Sequence, residues 1–168
     1  KGVVVKMSRN SENDIVNLSS RPKSVKAFGA DLFLCIHINA AENTSASGVE
    51  VLYKSQKGLA TDLSNEISKA VQARNRGAKE RTDLCVLNGF NVSVLCELGF
   101  ITNKAECDKL ITDSYQNTIA NAIVGVIAKR FNLVSIDQDL KAAINKIVAS
   151  GVNINAASWI EPSKMKLQ

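Results

Sequence analysis

No stretch of this sequence is a long uncharged apolar run, so nothing in it reads as a membrane-spanning helix. The N-terminus, Lys1-Gly2-Val3-Val4-Val5, lacks the apolar core and small-residue cleavage site of a secretory signal and reads like the middle of a domain. Aromatic residues are scarce, at 5%, which leaves little stacking surface for single-stranded nucleic acid. There are four cysteines, Cys35, Cys85, Cys96 and Cys107, and no two of them stand at a metal-type CxxC spacing. Cys35, Cys85 and Cys96 fall inside apolar runs, where a reduced cysteine acts as a small hydrophobe. All four therefore read as free thiols made in a reducing compartment, since a disulfide framework suits shorter, less apolar chains. Internal repeats and low-complexity segments are absent too. There is a single histidine, His37.

What is present is the material of a soluble globular domain. The chain has 168 residues, 45% apolar and 22% charged, enough for one domain with a small appendage. The net charge of +5 favours polyanionic partners, among them nucleic acid, anionic lipid and anionic cell-wall polymer. Lys and Arg are spread along the chain rather than gathered in a stripe, which ranks nucleic acid last among these.

The hydrophobic pattern predicts strands alternating with helices. Gly2 to Met7 is a β-branched run that reads as a strand, followed by a polar loop from Ser8 to Asn17. A helix is expected from Leu18 to Phe28, with Asn17 as its cap, Pro22 near its first turn and Gly29 as its stop. Asp31 to Ile38 is a short continuous apolar run, the pattern of a strand buried on both faces. A loop of small residues runs from Asn39 to Ser47, and Val49 to Tyr53 is the next strand. Leu59, Leu63, Ile67, Ala70 and Val71 recur at helical spacing, predicting a helix over 57–73. Arg74 to Asp83 reads as a charged loop, Leu84 to Leu87 and Val92 to Leu98 as strands. Asn103 with Glu106 resembles a capping box that opens a short helix. A last helix, capped by Asp113 or Ser114, carries Tyr115, Ile119, Ile123, Val126 and Ile127 on one face. This order implies an α/β class with a mostly parallel, twisted sheet flanked by helices. The main domain is read as 1–132. Residues 133–168 form a short helical tail, with Leu140, Ile144, Ile147 and Val148 on one face, that must pack on something else to bury them.

Two residues carry the chemical signal. His37 closes a predicted buried strand, at the sheet edge where ligands bind in open α/β folds. A lone histidine is more often structural. Glu97 also closes an apolar strand, Val92 to Cys96, beside a glycine turn. A carboxylate there is poorly placed for a surface salt bridge and well placed for general acid–base work. The pair at one edge of one sheet is a stronger signal than either residue alone.

Ala30-Asp31-Leu32-Phe33-Leu34-Cys35-Ile36-His37-Ile38-Asn39-Ala40 resembles the "ADLFxSIHxNA" segment of the zinc N-acetylmuramoyl-L-alanine amidases of amidase-3 type, found in bacterial autolysins and phage endolysins. Ser47 to Tyr53 resembles their "SGVExYY" strand, Arg76 to Lys79 their "RGVK" loop, and Val94 to Asn103 their "VLVELGFxSN" segment. The motifs come in order from Gly2 to Phe131. The resemblance implies a peptidoglycan hydrolase that cuts the amide between N-acetylmuramic acid and L-alanine with a zinc-activated water. It puts His37 on a zinc ligand and Glu97 on the catalytic glutamate. It gives Asn39, Arg76 and Glu50 secondary places around the glycopeptide, Glu50 more structural than the others. Peptidoglycan glycopeptide and anionic wall polymers are the expected partners, and the bacterial cell wall the place of action.

The resemblance also implies two further zinc ligands, a histidine and a glutamate, in a segment that would precede Lys1. The expectation is thus an N-terminally incomplete catalytic domain, with an unpaired sheet edge open to self-association. The alternative is a non-catalytic wall-binding module of the same fold. Asn91-Val92-Ser93 departs from the family in lacking a proline, and Cys35 and Cys96 replace common Ser or Val; neither alters the chemistry.

Overall fold

The computed structural model describes residues 3–9, 16–133 and 144. Asn17 leads into the first helix. Its side-chain oxygen accepts from the Ser19 N–H and Oγ, both at 2.9 Å, and its carbonyl accepts from the Ser20 N–H. These bonds lead into α1 (Ser20–Phe28), whose N-cap position is Ser19. Gly29 ends it as expected, returning its N–H to the Lys26 carbonyl.

β1 (Phe33–Asn39) and β2 (Val49–Tyr53) are the two apolar runs anticipated from the sequence. Between β2 and the next strand lies α2 (Lys57–Ala70), which buries Leu59, Leu63 and Ile67. β3 (Asn75–Glu80) follows, then α3 (Cys85–Asn88), β4 (Ser93–Phe100), α4 (Lys104–Leu110) and α5 (Asp113–Arg130). The strand order is β1-β4-β2-β3. β1 runs parallel to β4 and β2 parallel to β3, while β2 and β4 are antiparallel. The sheet is therefore mixed, parallel in two of its three pairings, and flanked by helices as expected.

Three local expectations are corrected. Asn75 to Glu80 is not a charged loop but an edge strand. An edge strand has one neighbour and solvated flanks, so it needs no apolar run, and its Asn-Arg-Gly-Ala-Lys-Glu composition concealed it. Cys85 to Asn88 is a helical turn rather than a strand, closed by Leu87 N–H and Asn88 N–H bonds to the Leu84 carbonyl. Cys85 on it is exposed instead of acting as a core hydrophobe. Val3 to Met7 is not in a strand, although Val3 and Val5 pack against the core. β-branching is a context-dependent preference and does not by itself make a strand.

The two faces of the sheet are covered unequally. On one, Val49, Val51, Tyr53, Val94, Cys96 and Leu98 meet α2 and α5 in the main core. On the other, Phe33, Leu52, Val86, Leu87 and Leu95 form a smaller cluster with Val25 of α1 at its margin. Of the tail, Leu133 and Ile144 are the described residues; Leu133 packs against the main core, Ile144 is buried in it, and the other predicted tail contacts lie outside the described residues. Among the described residues no helix is long and apolar enough to cross a membrane.

Candidate functional site

Side chains alternate across a strand, so Phe33, Cys35 and His37 share the face of the smaller cluster. Parallel pairing sets His37 of β1 opposite Glu97 of β4, and antiparallel pairing sets Glu97 opposite Glu50 of β2. Glu50 in turn stands opposite Gly77 of β3. One row thus crosses the whole sheet: His37, Glu97, Glu50, Gly77. The apolar cluster fills this face up to Phe33, Leu52 and Leu95, and the polar row begins where it stops.

His37 Nδ1 lies 2.9 Å from Glu97 Oε2. The imidazole side chain is 61% exposed and the carboxylate side chain 9%, so the ring is reachable and the acid is sheltered behind it. The Glu97 hydrogen bond raises the His37 pKa above its ordinary value, while burial and the Arg21 guanidinium pull the other way. With a neutral ring, Nδ1–H donates to the carboxylate, which fixes the ring's orientation. No bond to the ring's other nitrogen, Nε2, is formed among the described residues.

Glu50 is the hub of a second set of contacts. Arg76 Nε and Lys79 Nζ each donate to its Oε2 at 2.6 Å, and Asn39 Nδ2 donates to Oε1 at 3.1 Å. Burial pushes the Glu50 carboxyl up, but the hydrogen bonds and charges of Arg76 and Lys79 outweigh it, and the pKa falls below the usual carboxylate range. Arg76 also donates Nη1 to the Ser47 carbonyl at 3.3 Å and lies over the Phe100 ring, 4.9 Å from its centroid. Gly77, between the two cations in sequence, has φ +80, a left-handed backbone that favours glycine, and open space where a Cβ would stand.

α4 holds the row in place. Asn103 caps it by accepting from the Glu106 N–H at 3.2 Å, the first half of the anticipated capping box. The second half is redirected: the Glu106 carboxylate accepts from Gly48 N–H at 2.7 Å and Phe100 N–H at 2.8 Å. It therefore ties the entry of β2 to the end of β4, the strands that carry Glu50 and Glu97. Gly48, at φ +108, is crowded against the Arg74 carbonyl so closely that a Cβ would collide with it.

All five residues expected at the site, His37, Glu97, Asn39, Arg76 and Glu50, are brought together, in two linked groups. Sequence reasoning missed two others. Lys79 was quoted within a motif but given no role, because β3 was read as a loop; two-residue alternation from Gly77 would have placed it on the site face. Arg21 of α1 has a buried Nε without a hydrogen-bond partner among the described residues, and its charge acts on both Cys35 and His37. Cys35 itself is unsuited to act as a thiolate, since burial pushes its thiol up to about 12 despite the Arg21 charge.

A catalytic zinc is usually held by three protein ligands, with a fourth position open. Among the described residues no group of three His, Cys, Asp or Glu side chains could hold a metal ion. His37 and Glu97 are bonded to each other, and Glu50 is taken up by two cations. The described residues do not by themselves make a zinc site.

Comparison with known proteins follows the same outline. The family model described as N-acetylmuramoyl-L-alanine amidase matches residues 1–129. The chain is 36% identical over 127 residues to the uncharacterized protein YqiI of Bacillus subtilis (strain 168), covering 72% of this chain and 61% of that one. It is 30% identical over 137 residues to the N-acetylmuramoyl-L-alanine amidase CwlM of Bacillus licheniformis, covering 79% of this chain and 53% of that one. It therefore spans a little over half the length of these relatives. Among solved structures, the CwlD amidase of Clostridioides difficile, in complex with the GerS lipoprotein, superposes with a TM-score of 0.65 at 30% identity, over 77% of this chain and 72% of that one.

Proposed function

The chain belongs to the N-acetylmuramoyl-L-alanine amidase family, whose substrate is peptidoglycan and whose place of action is the cell wall, and we propose that it cleaves the amide between N-acetylmuramic acid and the L-alanine of the stem peptide. The observation that carries this reading is the 2.9 Å pairing of an exposed imidazole with a sheltered carboxylate on adjoining parallel strands. Glu97 is the proton carrier. It takes a proton from the attacking water as the C–O bond forms, then delivers it to the alanine nitrogen as the C–N bond breaks. Its shelter behind His37 keeps the acceptor from being spent on surface ion pairs.

The family's cofactor is zinc, and we assign His37 as the described residue that would contribute an imidazole to it. The remaining ligands are not among the described residues, so the metal's part in the reaction is not built from them. Asn39, Arg76 and Glu50 flank the pair as one charge-linked unit and are assigned to hold the glycopeptide.

A turbidity assay on purified bacterial walls tests the proposal. Wild-type protein is expected to clear the suspension, and both chelator treatment and Glu97→Ala to stop it. Unchanged clearing in either arm contradicts this mechanism. The incomplete ligand set favours one second reading, a wall-binding module without catalysis. It predicts walls that retain the protein, no stoichiometric zinc by elemental analysis, and no clearing.

A further inference from the structure

Arg76 and Lys79 are two cations sharing one carboxylate, which leaves the cluster with an excess positive charge beside the His37–Glu97 pair. Donors are in surplus as well. A guanidinium has five N–H groups and an ammonium three. Arg76 commits two nitrogens, one to Glu50 and one to Ser47, and Lys79 commits one bond to Glu50. The Lys79 side chain is 43% exposed and that of Arg76 24%, so Lys79 is the more accessible member. Gly77 between them in sequence carries no side chain and has open space at its Cβ position.

We infer that Arg76 and Lys79, gathered by Glu50, form a carboxylate-binding subsite, and that Lys79 makes the protein prefer stem peptides whose second residue carries a free carboxylate over those in which it is amidated. The spacing supports the choice of residue. Positions 97 and 50 are cross-strand neighbours, about 5 Å apart. An extended peptide advances about 3.5 Å per residue. A carboxylate one to two residues beyond an amide held at Glu97 therefore reaches the cations on Glu50. In peptidoglycan the γ-linked D-glutamyl residue after L-alanine presents its α-carboxylate at that remove, and amidation replaces the charge with a neutral group that cannot pair with an ammonium.

The inference rests on the amidase reading and is tested apart from catalysis. Binding of two stem tripeptides, L-Ala-γ-D-Glu-L-Lys with the α-carboxylate of glutamate free or amidated, is measured by calorimetry on the full chain. Neither peptide contains the scissile lactyl amide. Wild-type protein is expected to bind the free acid about tenfold more tightly. Lys79→Gln is expected to bring the ratio within about twofold of one, and Lys79→Arg to restore it, with melting curves recorded for each variant. A wild-type ratio near one, no measurable binding of either peptide, an unchanged ratio in Lys79→Gln, or an equal loss of both affinities overturns the subsite. Retained preference with no wall clearing overturns the amidase reading alone; clearing without preference overturns the subsite alone.

Discussion

The two faces of the sheet use the same strands for opposite purposes. Toward α2 and α5, Val49, Val51, Val94 and Cys96 are fully buried among Leu63, Ile67, Ile119 and Ile123. Toward α1 and α3 the apolar cluster is small, and at the strand ends it yields to His37, Glu97 and Glu50. There His37 is exposed while Glu97 and Glu50 stay buried but polar, and most of the apolar burial lies on the first face. The comparison teaches that substitutions on the two faces should separate: one set should move melting, the other activity.

The sharpest contrast is between Glu97 and Leu63. Glu97→Gln should lower wall clearing by about 10²–10⁴-fold, the range of a lost general base, while the melting temperature stays close to wild type. Equal losses of activity and stability would merge the two faces. Leu63→Ala, at a fully buried position, should cost about 2–5 kcal/mol in denaturant unfolding and leave the activity of the folded fraction near wild type.

Glu50 tests the border between the faces. Its pKa is lowered in the folded protein, so its ionised form adds stability that is fully present above the ordinary carboxylate value of 4.5 and is lost as pH falls through the lower folded value. The stability advantage of wild type over Glu50→Gln should therefore be constant near neutral pH and shrink below about pH 4.5 in acid titrations of unfolding. An advantage that grew on acidification would contradict the network. The smallest effect is expected at the α4 cap, where Asn103→Ala should cost about 1 kcal/mol, read as a shift in the urea midpoint.

Much of the fold was legible in the sequence, for reasons that can be named. β2 and α2 announced themselves because burial on both faces, or along one stripe, leaves a continuous or periodic apolar record. β3 left none, because a solvated edge strand can be built from Asn, Arg and Lys. Val3 to Met7 gave the converse error: β-branched composition that the structure leaves outside any strand. The Asn103–Glu106 pair was readable as a cap, but the turn of the Glu106 carboxylate toward Gly48 and Phe100 was not, since those contacts span 58 and 6 residues.

The sequence by itself determined the residue types of the candidate site and the strands that carry His37, Glu97 and Glu50, because buried runs are local properties; β1 and β4 run on past His37 and Glu97 to Asn39 and Phe100, further than the apolar runs indicated. It also carried, in four ordered motifs, the family to which the chain belongs. Only the tertiary structure decided which groups meet. Strand pairing, a long-range property, set His37 beside Glu97 and Glu97 beside Glu50, and turned Arg76 and Lys79 onto one carboxylate. A charge has no partner until the chain folds, and it is the partnering that divides this row into an imidazole–carboxylate pair and a cationic flank.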